Sequence, residues 1–452
     1  MIKIEEKQEG NESYFIYETV DSAGEITQKE ILHFYSGIRE KNKQTYFLLY
    51  DLNMNLISDV FHFLNIELAG QPINSRIKAF QALKILQPYQ YIISKELKDF
   101  TLADFNGFKQ FLKGISSDGQ NLCFKLLTTR SSETINSYLS IYRQYLLSIN
   151  QCNDALNLKS SRHVYIPSSE MSQLSDRYIV NEKIPVKAVE VPKYISVDEF
   201  VAIIKEIREN YTIREEAIVR LMFQCGLRLG EVLGMTADDL VVEKVNNEYT
   251  NFLYIRNRCS DRPFQSAKTC MKVSDTKQYN SKDYKTKDYG YQTVIVPTDL
   301  YCLIDDYIDE AHSEAREAHS ENYYKETVAD RVRPSELGED INYYIFINSL
   351  GRPLSQVSWN NIIRKIFQKV SIPIDKGRRN NNLNHKFRHG FAMFHVQYLH
   401  TGQLELQELM RHRSPLSVSS YFNPTISDAV KLKTDFTKSL YETIPGLKRG
   451  EE

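Results

Sequence analysis

Leu409-Met-Arg-His-Arg-Ser-Pro-Leu-Ser-Val-Ser-Ser-Tyr-Phe422 is the stretch that organises the reading of this chain, because it sets His412 nine residues ahead of Tyr421. One tyrosine among 29 is by itself packing or surface. Tyr421 gains weight only from what precedes it. Upstream lies His385-Lys-Phe-Arg-His389, where His385 and Arg388, three apart, share one face of a helix. Such a short motif recurs by chance and counts only in company. Further upstream, Cys225-Gly-Leu-Arg-Leu-Gly-Glu-Val-Leu-Gly234 predicts one helix ending at Gly226 and another beginning at Gly230. That puts Arg228 on the turn, with Glu231 placed to orient it through a charge-assisted contact. Between these pieces, Tyr284-Lys-Thr-Lys-Asp-Tyr-Gly-Tyr-Gln-Thr-Val-Ile-Val-Pro297 sets Lys285 and Lys287 just before a strand.

Together these residue types suit phosphodiester transesterification. A tyrosine hydroxyl is a competent nucleophile when its surroundings activate it. Two guanidiniums and an imidazole can hold the non-bridging oxygens where charge builds in the transition state. A lysine can protonate the departing 5′ oxygen.

The order and spacing resemble the catalytic domain of the tyrosine recombinases, the phage-integrase family. There Gly-Leu-Arg-x-x-Glu, a hairpin Lys, His-x-x-Arg, Gly-His and Tyr recur in this order. The matching residues here are Arg228, Lys285 or Lys287, His385 with Arg388, His412, and Tyr421. Phe346-Ile-Asn-Ser-Leu-Gly-Arg-Pro-Leu-Ser355 resembles the family's strand and turn ahead of the His-x-x-Arg helix. The resemblance covers about residues 193–430. Three departures stand out: Arg411 replaces the usual Gly before His412, the His385 motif reads Lys-Phe-Arg rather than the common Leu-Arg ending, and the hairpin carrying the lysines is long. Lys285 is preferred to Lys287 because the family's lysine usually precedes Thr.

The resemblance implies an enzyme that performs site-specific DNA recombination, integrating or excising a mobile element. Tyr421 would hold the cleaved strand as a 3′-phosphotyrosine, with Lys285 as general acid and His385 as base or phosphate donor. No cofactor or metal is implied, and the bond energy is conserved without ATP. The implied partners are double-stranded DNA recombination sites, a homotetramer on DNA, and accessory DNA-bending or directionality proteins. Two other readings stay open: a non-catalytic DNA-binding regulator with an inherited recombinase fold, and a type IB topoisomerase-like enzyme.

The fold class expected is mainly α with small β-sheets (α+β): a helical core-DNA-binding domain followed by a mixed α/β catalytic domain. The length, 452 residues, predicts more than one core. Residues 1–50 form an N-terminal segment without a visible role, in which Ser13–Val20 reads as a strand. Residues 51–150 form the helical domain. There Asn53–Leu64, Leu102–Leu112 with Thr101 as N-cap, and Thr134–Leu147 carry apolar residues at helical spacing. The polar, Pro-containing stretch 151–192 reads as a linker, and 193–452 as the catalytic domain with a C-terminal helix. That domain opens on the capping box Ser196-Val-Asp-Glu199. Glu215–Phe223 reads as a helix, Phe252–Arg256 and Thr293–Pro297 as strands, and Asp305–Tyr343 as a solvated helix and loop. Beyond Tyr421, the residues Val430, Leu432, Phe436, Leu440 and Ile444 form a stripe at near-helical spacing, with Ser427 as N-cap. That stripe would dock on its own domain or on a neighbouring protomer.

The net charge of −1 argues against a uniformly basic DNA binder. Basic charge is instead local, with an excess of five between Asn251 and Gly290 and of seven between Arg364 and Arg413. Six cysteines without a C-x-x-C pair read as free thiols. No apolar run approaches the roughly 20 residues of a membrane span, and the N-terminus lacks a signal peptide's apolar core. A cytoplasmic location with no membrane partner is therefore expected.

Overall fold

The computed structural model describes residues 2–9, 12–41, 44–71, 73–115, 122–127, 129–166, 171–184, 191–256, 291–324, 343–374, 383–412 and 414–423, with Thr434, Lys438 and Glu442. Lys285 and Lys287, and the C-terminal stripe, lie outside the described residues. The chain divides into two compact units, Met1–Val186 and Lys187–Glu452. Helices dominate and the sheets are small, so the fold is α+β as expected.

The first unit starts with five strands: β1 (Ile2–Glu9), β2 (Glu12–Val20), β3 (Ile26–Leu32), β4 (Ser36–Lys41) and β5 (Gln44–Leu49). Helices α1 (Ser58–His62), α2 (Ile73–Ile93) and α3 (Leu102–Lys113) follow. Next come β6 (Leu122–Lys125), α4 (Ser132–Ser148) and α5 (Asp154–Asn157). The strands form a sheet in the order β3-β2-β1-β6, with β6 parallel to β1, and a separate β4-β5 pair. Residues 2–49 are thus built onto the helices. Ile4, Phe15, Phe47 and Leu49 share one apolar core with Phe105, Phe108, Phe111, Leu139 and Tyr142.

Thr101 starts α3 as the sequence predicts: its hydroxyl accepts from the Asp104 N–H, and the Asp104 carboxylate accepts in return from the Thr101 N–H. The three phenylalanines of this helix, spaced by three, bury one face around Tyr89. The stretch read as a linker holds a hairpin, β7 (Lys159–Ile166) with β8 (Met171–Tyr178). Its base, where Lys159 pairs with Tyr178, is held by the Arg143 guanidinium, which lies 3.6 Å from the Tyr178 ring centroid.

The second unit opens with α6 (Val197–Asn210), whose Ser196–Glu199 capping box forms as expected, and α7 (Ile213–Gln224). After α8 (Leu229–Leu233) come β9 (Leu240–Val245), β10 (Glu248–Arg256) and β11 (Tyr291–Ile295). They form one antiparallel sheet in the order β11-β10-β9, with Phe252 opposite Ile295. Residues 257–290 join β10 to β11. The longer helices that follow among the described residues are α9 (Thr298–Ala318), α10 (Gln356–Lys369), α11 (His385–Gln397) and α12 (Gln403–Leu409).

In the expected solvated stretch, the charged helix α9 is solvated on only one side. Its inner face buries Tyr307 and His312, and His312 bridges the Tyr323 hydroxyl (3.0 Å) and the Ile345 carbonyl (2.7 Å). Among the described residues, no helix is long and apolar enough to cross a membrane.

Helix α11 is seated by close packing. Trp359, fully buried on α10, donates through Nε1 to Asn384 Oδ1 (2.6 Å) just ahead of α11. The Ile195 N–H donates to the Lys386 carbonyl (3.0 Å). Gly390 lets these segments meet: a Cβ there would lie 2.5 Å from the Ile195 carbonyl oxygen and 2.6 Å from the Phe223 ring. Gly390→Ala is therefore expected to destabilise the second unit by about 1–3 kcal/mol, the usual cost of overpacking a filled core. Urea denaturation of the two proteins measures this, and an unchanged midpoint would show that the seat is loose.

Candidate active site

The turn carrying Arg228 is built around a glycine that no other residue replaces cheaply. Gly226 has φ of +60°, and a Cβ there would sit 2.7 Å from the Phe391 ring. This tight turn lets Arg228 flank the start of α8. There the Glu231 carboxylate accepts from the Arg228 backbone N–H (2.8 Å) and from its guanidinium (2.7 Å). The orienting role read for Glu231 in the sequence is the one it has.

Arg388 lies one turn into α11 and is buried. Its guanidinium donates to the carbonyls of Gly226 and Met410, tying the Arg228 turn to the segment before His412.

Arg411 occupies the place where the family's pattern has glycine, and its backbone keeps the conformation glycine favours, with φ of +53°. The side chain turns inward, and its guanidinium donates to Glu231 (2.6 Å). Its Nε and Nη1 are buried with no hydrogen-bond partner among the described residues. The departure from glycine thus adds a third guanidinium to the site.

His412 follows, its backbone N–H donating to the Gln407 carbonyl (2.9 Å). Two short 3₁₀ turns, Pro415–Ser417 and Ser419–Phe422, then bring Tyr421 back onto α11. Its ring packs with Phe391, Met393, Leu406, Met410 and Val418. Its hydroxyl lies 2.6 Å from His389 Nδ1.

The electrostatics follow from burial and crowding. Burial alone would push the Glu231 carboxyl up. Arg411, Arg388 and Arg228 outweigh it and hold the group at about 2. Burial, then the charges of Arg411 and Arg228, bring the Arg388 guanidinium down to about 9. His412 is lowered to about 4 by burial and then by Arg388 and Arg228. His389 is lowered to about 3 by burial, then by His385 and Arg388. Burial raises the Tyr421 phenol to about 12, with Arg388 and Arg228 acting in the opposite sense. At neutral pH the site therefore holds three guanidiniums, one carboxylate, two neutral imidazoles and a neutral phenol. The positive excess is suited to a phosphodiester.

The structure brings Arg228, Arg388, His412 and Tyr421 together. His385 stands at the exposed end of the same helix, its ring centroid 5.9 Å from that of His389. His389 was missed in the sequence, although its spacing of four from His385 marks it as a neighbour on the same helical face.

Residues 193–427, more than half of the chain, match the model of the phage integrase family. The chain belongs to that family: it is a tyrosine site-specific recombinase, acting in site-specific DNA recombination. It is similar to the XerH site-specific recombinase bound to its difH substrate, at 17% identity over 78% of each chain, with a TM-score of 0.46. It is also similar to the Tn1549 transposon integrase in complex with transposon right-end DNA. There the identity is 12% over 83% of this chain and 98% of that one, with a TM-score of 0.44. A lambda integrase dimer bound to a core site aligns at 13% identity over 81% of this chain and 76% of that one, with a TM-score of 0.41. No curated protein matches the sequence.

Proposed function

We propose that this recombinase integrates or excises a mobile DNA element, with Tyr421 as nucleophile. The observation that supports this best is the setting of the Tyr421 hydroxyl: buried, held by a neutral imidazole, and under the influence of Arg228 and Arg388. In this reading the two guanidiniums and His412 bind the non-bridging oxygens of the scissile phosphate. The phenol oxygen attacks phosphorus and the 5′-hydroxyl strand leaves. A 5′-hydroxyl from the partner strand then reverses the step. Four protomers on two DNA sites exchange strands in turn, aided by accessory DNA-bending or directionality proteins.

The test is recombination between two copies of the DNA that flanks the gene, placed on one plasmid and read by the size of the products. Exchange confined to plasmids carrying those copies is expected. Relaxation of plasmids without them, and no exchange, would favour a topoisomerase.

Lys285 is proposed as the general acid, from its place ahead of β11. Lys285→Ala should slow cleavage of an ordinary duplex by about a hundredfold, and a 5′-bridging phosphorothiolate should restore it, since sulfur leaves without a proton. Rescue of Lys287→Ala instead would move the role two residues along.

A further inference from the structure

The hydroxyl of Tyr421 has one hydrogen-bond partner of catalytic type among the described residues. It is not the histidine that the His-x-x-Arg motif singles out. His389 Nδ1 lies 2.6 Å from the phenol oxygen, whereas the His385 ring lies beyond it at the exposed end of α11. The two rings of the pair are tilted at 48°, with centroids 5.7 Å apart. Gly390, one residue on, presses α11 against Ile195 and Phe223, so the backbone that carries His389 is fixed. The Tyr421 ring is fixed in its turn by Phe391, Leu406 and Val418. Donor and acceptor are therefore held at transfer distance from both sides.

We propose that His389 is a catalytic residue that takes the Tyr421 phenol proton as the tyrosine attacks phosphorus. This rests on the reading of Tyr421 as nucleophile. In the cleavage step the phenol oxygen forms the bond to phosphorus, and the bond from phosphorus to the 5′ oxygen breaks with its electron pair. The phenol proton passes to His389 Nδ1, and the 5′ oxygen takes a proton from the Lys285 ammonium. In ligation the 5′-hydroxyl gives its proton back to the Lys285 amine as its oxygen attacks phosphorus, the bond from phosphorus to the phenol oxygen breaks with its electron pair, and His389 returns its proton to the phenol.

The surroundings leave the ring unprotonated, and a weak base in the resting protein. The groups facing His389 are His385 and Arg388 on its own helix, with His412 and Tyr421 from the segment that packs against it; Arg228 acts on the phenol. Burial and these neighbours keep the imidazole unprotonated at neutral pH, so one ring nitrogen is open to the phenol hydrogen. Bound phosphodiester brings negative charge beside the ring, which favours the imidazolium formed in the step.

The test uses the full chain and a nicked suicide duplex made from the DNA flanking the gene. His389→Ala and His389→Asn are compared with the parent and with Tyr421→Phe. Asparagine keeps a hydrogen-bonding group near the phenol but cannot take its proton. Both His389 variants should bind the duplex and melt like the parent, yet cleave about a hundredfold more slowly at neutral pH. Their rates should climb with pH as the phenolate fraction grows, while the parent's rate stays nearly level. A 5′-bridging phosphorothiolate should not restore them, because the missing group is a base.

Cleavage by His389→Ala at the parent rate, or recovery of that rate by His389→Asn, would overturn the proposal, the second outcome leaving His389 only a positioning role. Tyr421→Phe separates the two levels of the argument. If it still forms an adduct, the nucleophile is misassigned. If it is inactive while His389→Ala cleaves normally, only the role of His389 falls.

Discussion

Tyr421→Phe is expected to abolish the covalent protein–DNA adduct while leaving binding of the duplex close to that of the parent. The substitution removes one oxygen atom. The ring keeps its place among Phe391, Met393, Leu406, Met410 and Val418, so the two 3₁₀ turns that deliver it retain their anchor. What is lost in the resting protein is the hydrogen bond to His389, worth about 1 kcal/mol. What would be lost in the reaction is the proposed nucleophile. Gel separation of the adduct under denaturing conditions, alongside a binding titration, checks both halves. A surviving adduct would assign the attack to another residue.

Arg228→Ala and Arg388→Ala are each expected to slow cleavage by at least about a hundredfold, since each removes a charge proposed to stabilise the transition state. The two should differ in what else they disturb. Arg228 is bound chiefly through Glu231, and Arg411 still pairs with that carboxylate after Arg228 is truncated. Arg388 is buried and joins the Gly226 and Met410 carbonyls, so its removal also loosens the turns that present Arg228 and His412. Arg388→Ala should therefore lower the denaturation midpoint as well as the rate, and Arg228→Ala should lower the rate nearly alone. Single-turnover cleavage with the suicide duplex gives the rates, and values within a few-fold of the parent would remove either residue from the site.

Much of this site was legible because its parts are local in sequence. Gly226 is required by a left-handed turn, and the Glu three residues beyond Arg228 reaches back to it across a helical turn. Both constraints act over a few residues, so they leave a readable pattern. The N-cap at Thr101 and the capping box at Ser196 were legible for the same reason. His389 escaped because its significance depends on Tyr421, 32 residues away, folding back onto α11.

Arg411 was visible as a departure, but its inward turn to Glu231 depends on a contact 180 residues apart in the chain. The hairpin β7–β8 was hidden for a different reason: its strands are polar, and their pairing leaves little apolar alternation to read. The strands in residues 2–49 looked detached because the core they complete belongs to helices that come later in the sequence. The same holds for α9, whose charged surface concealed a buried His312.

The central claim is that Tyr421 is the residue that becomes joined to DNA. It is tested most directly by digesting the trapped complex and sequencing the DNA-linked peptide by mass spectrometry. Tryptic digestion should give one modified peptide, Ser414–Lys431, with Tyr421 esterified to a 3′-phosphate. A linkage at any other residue, or through a 5′-phosphate, would contradict it.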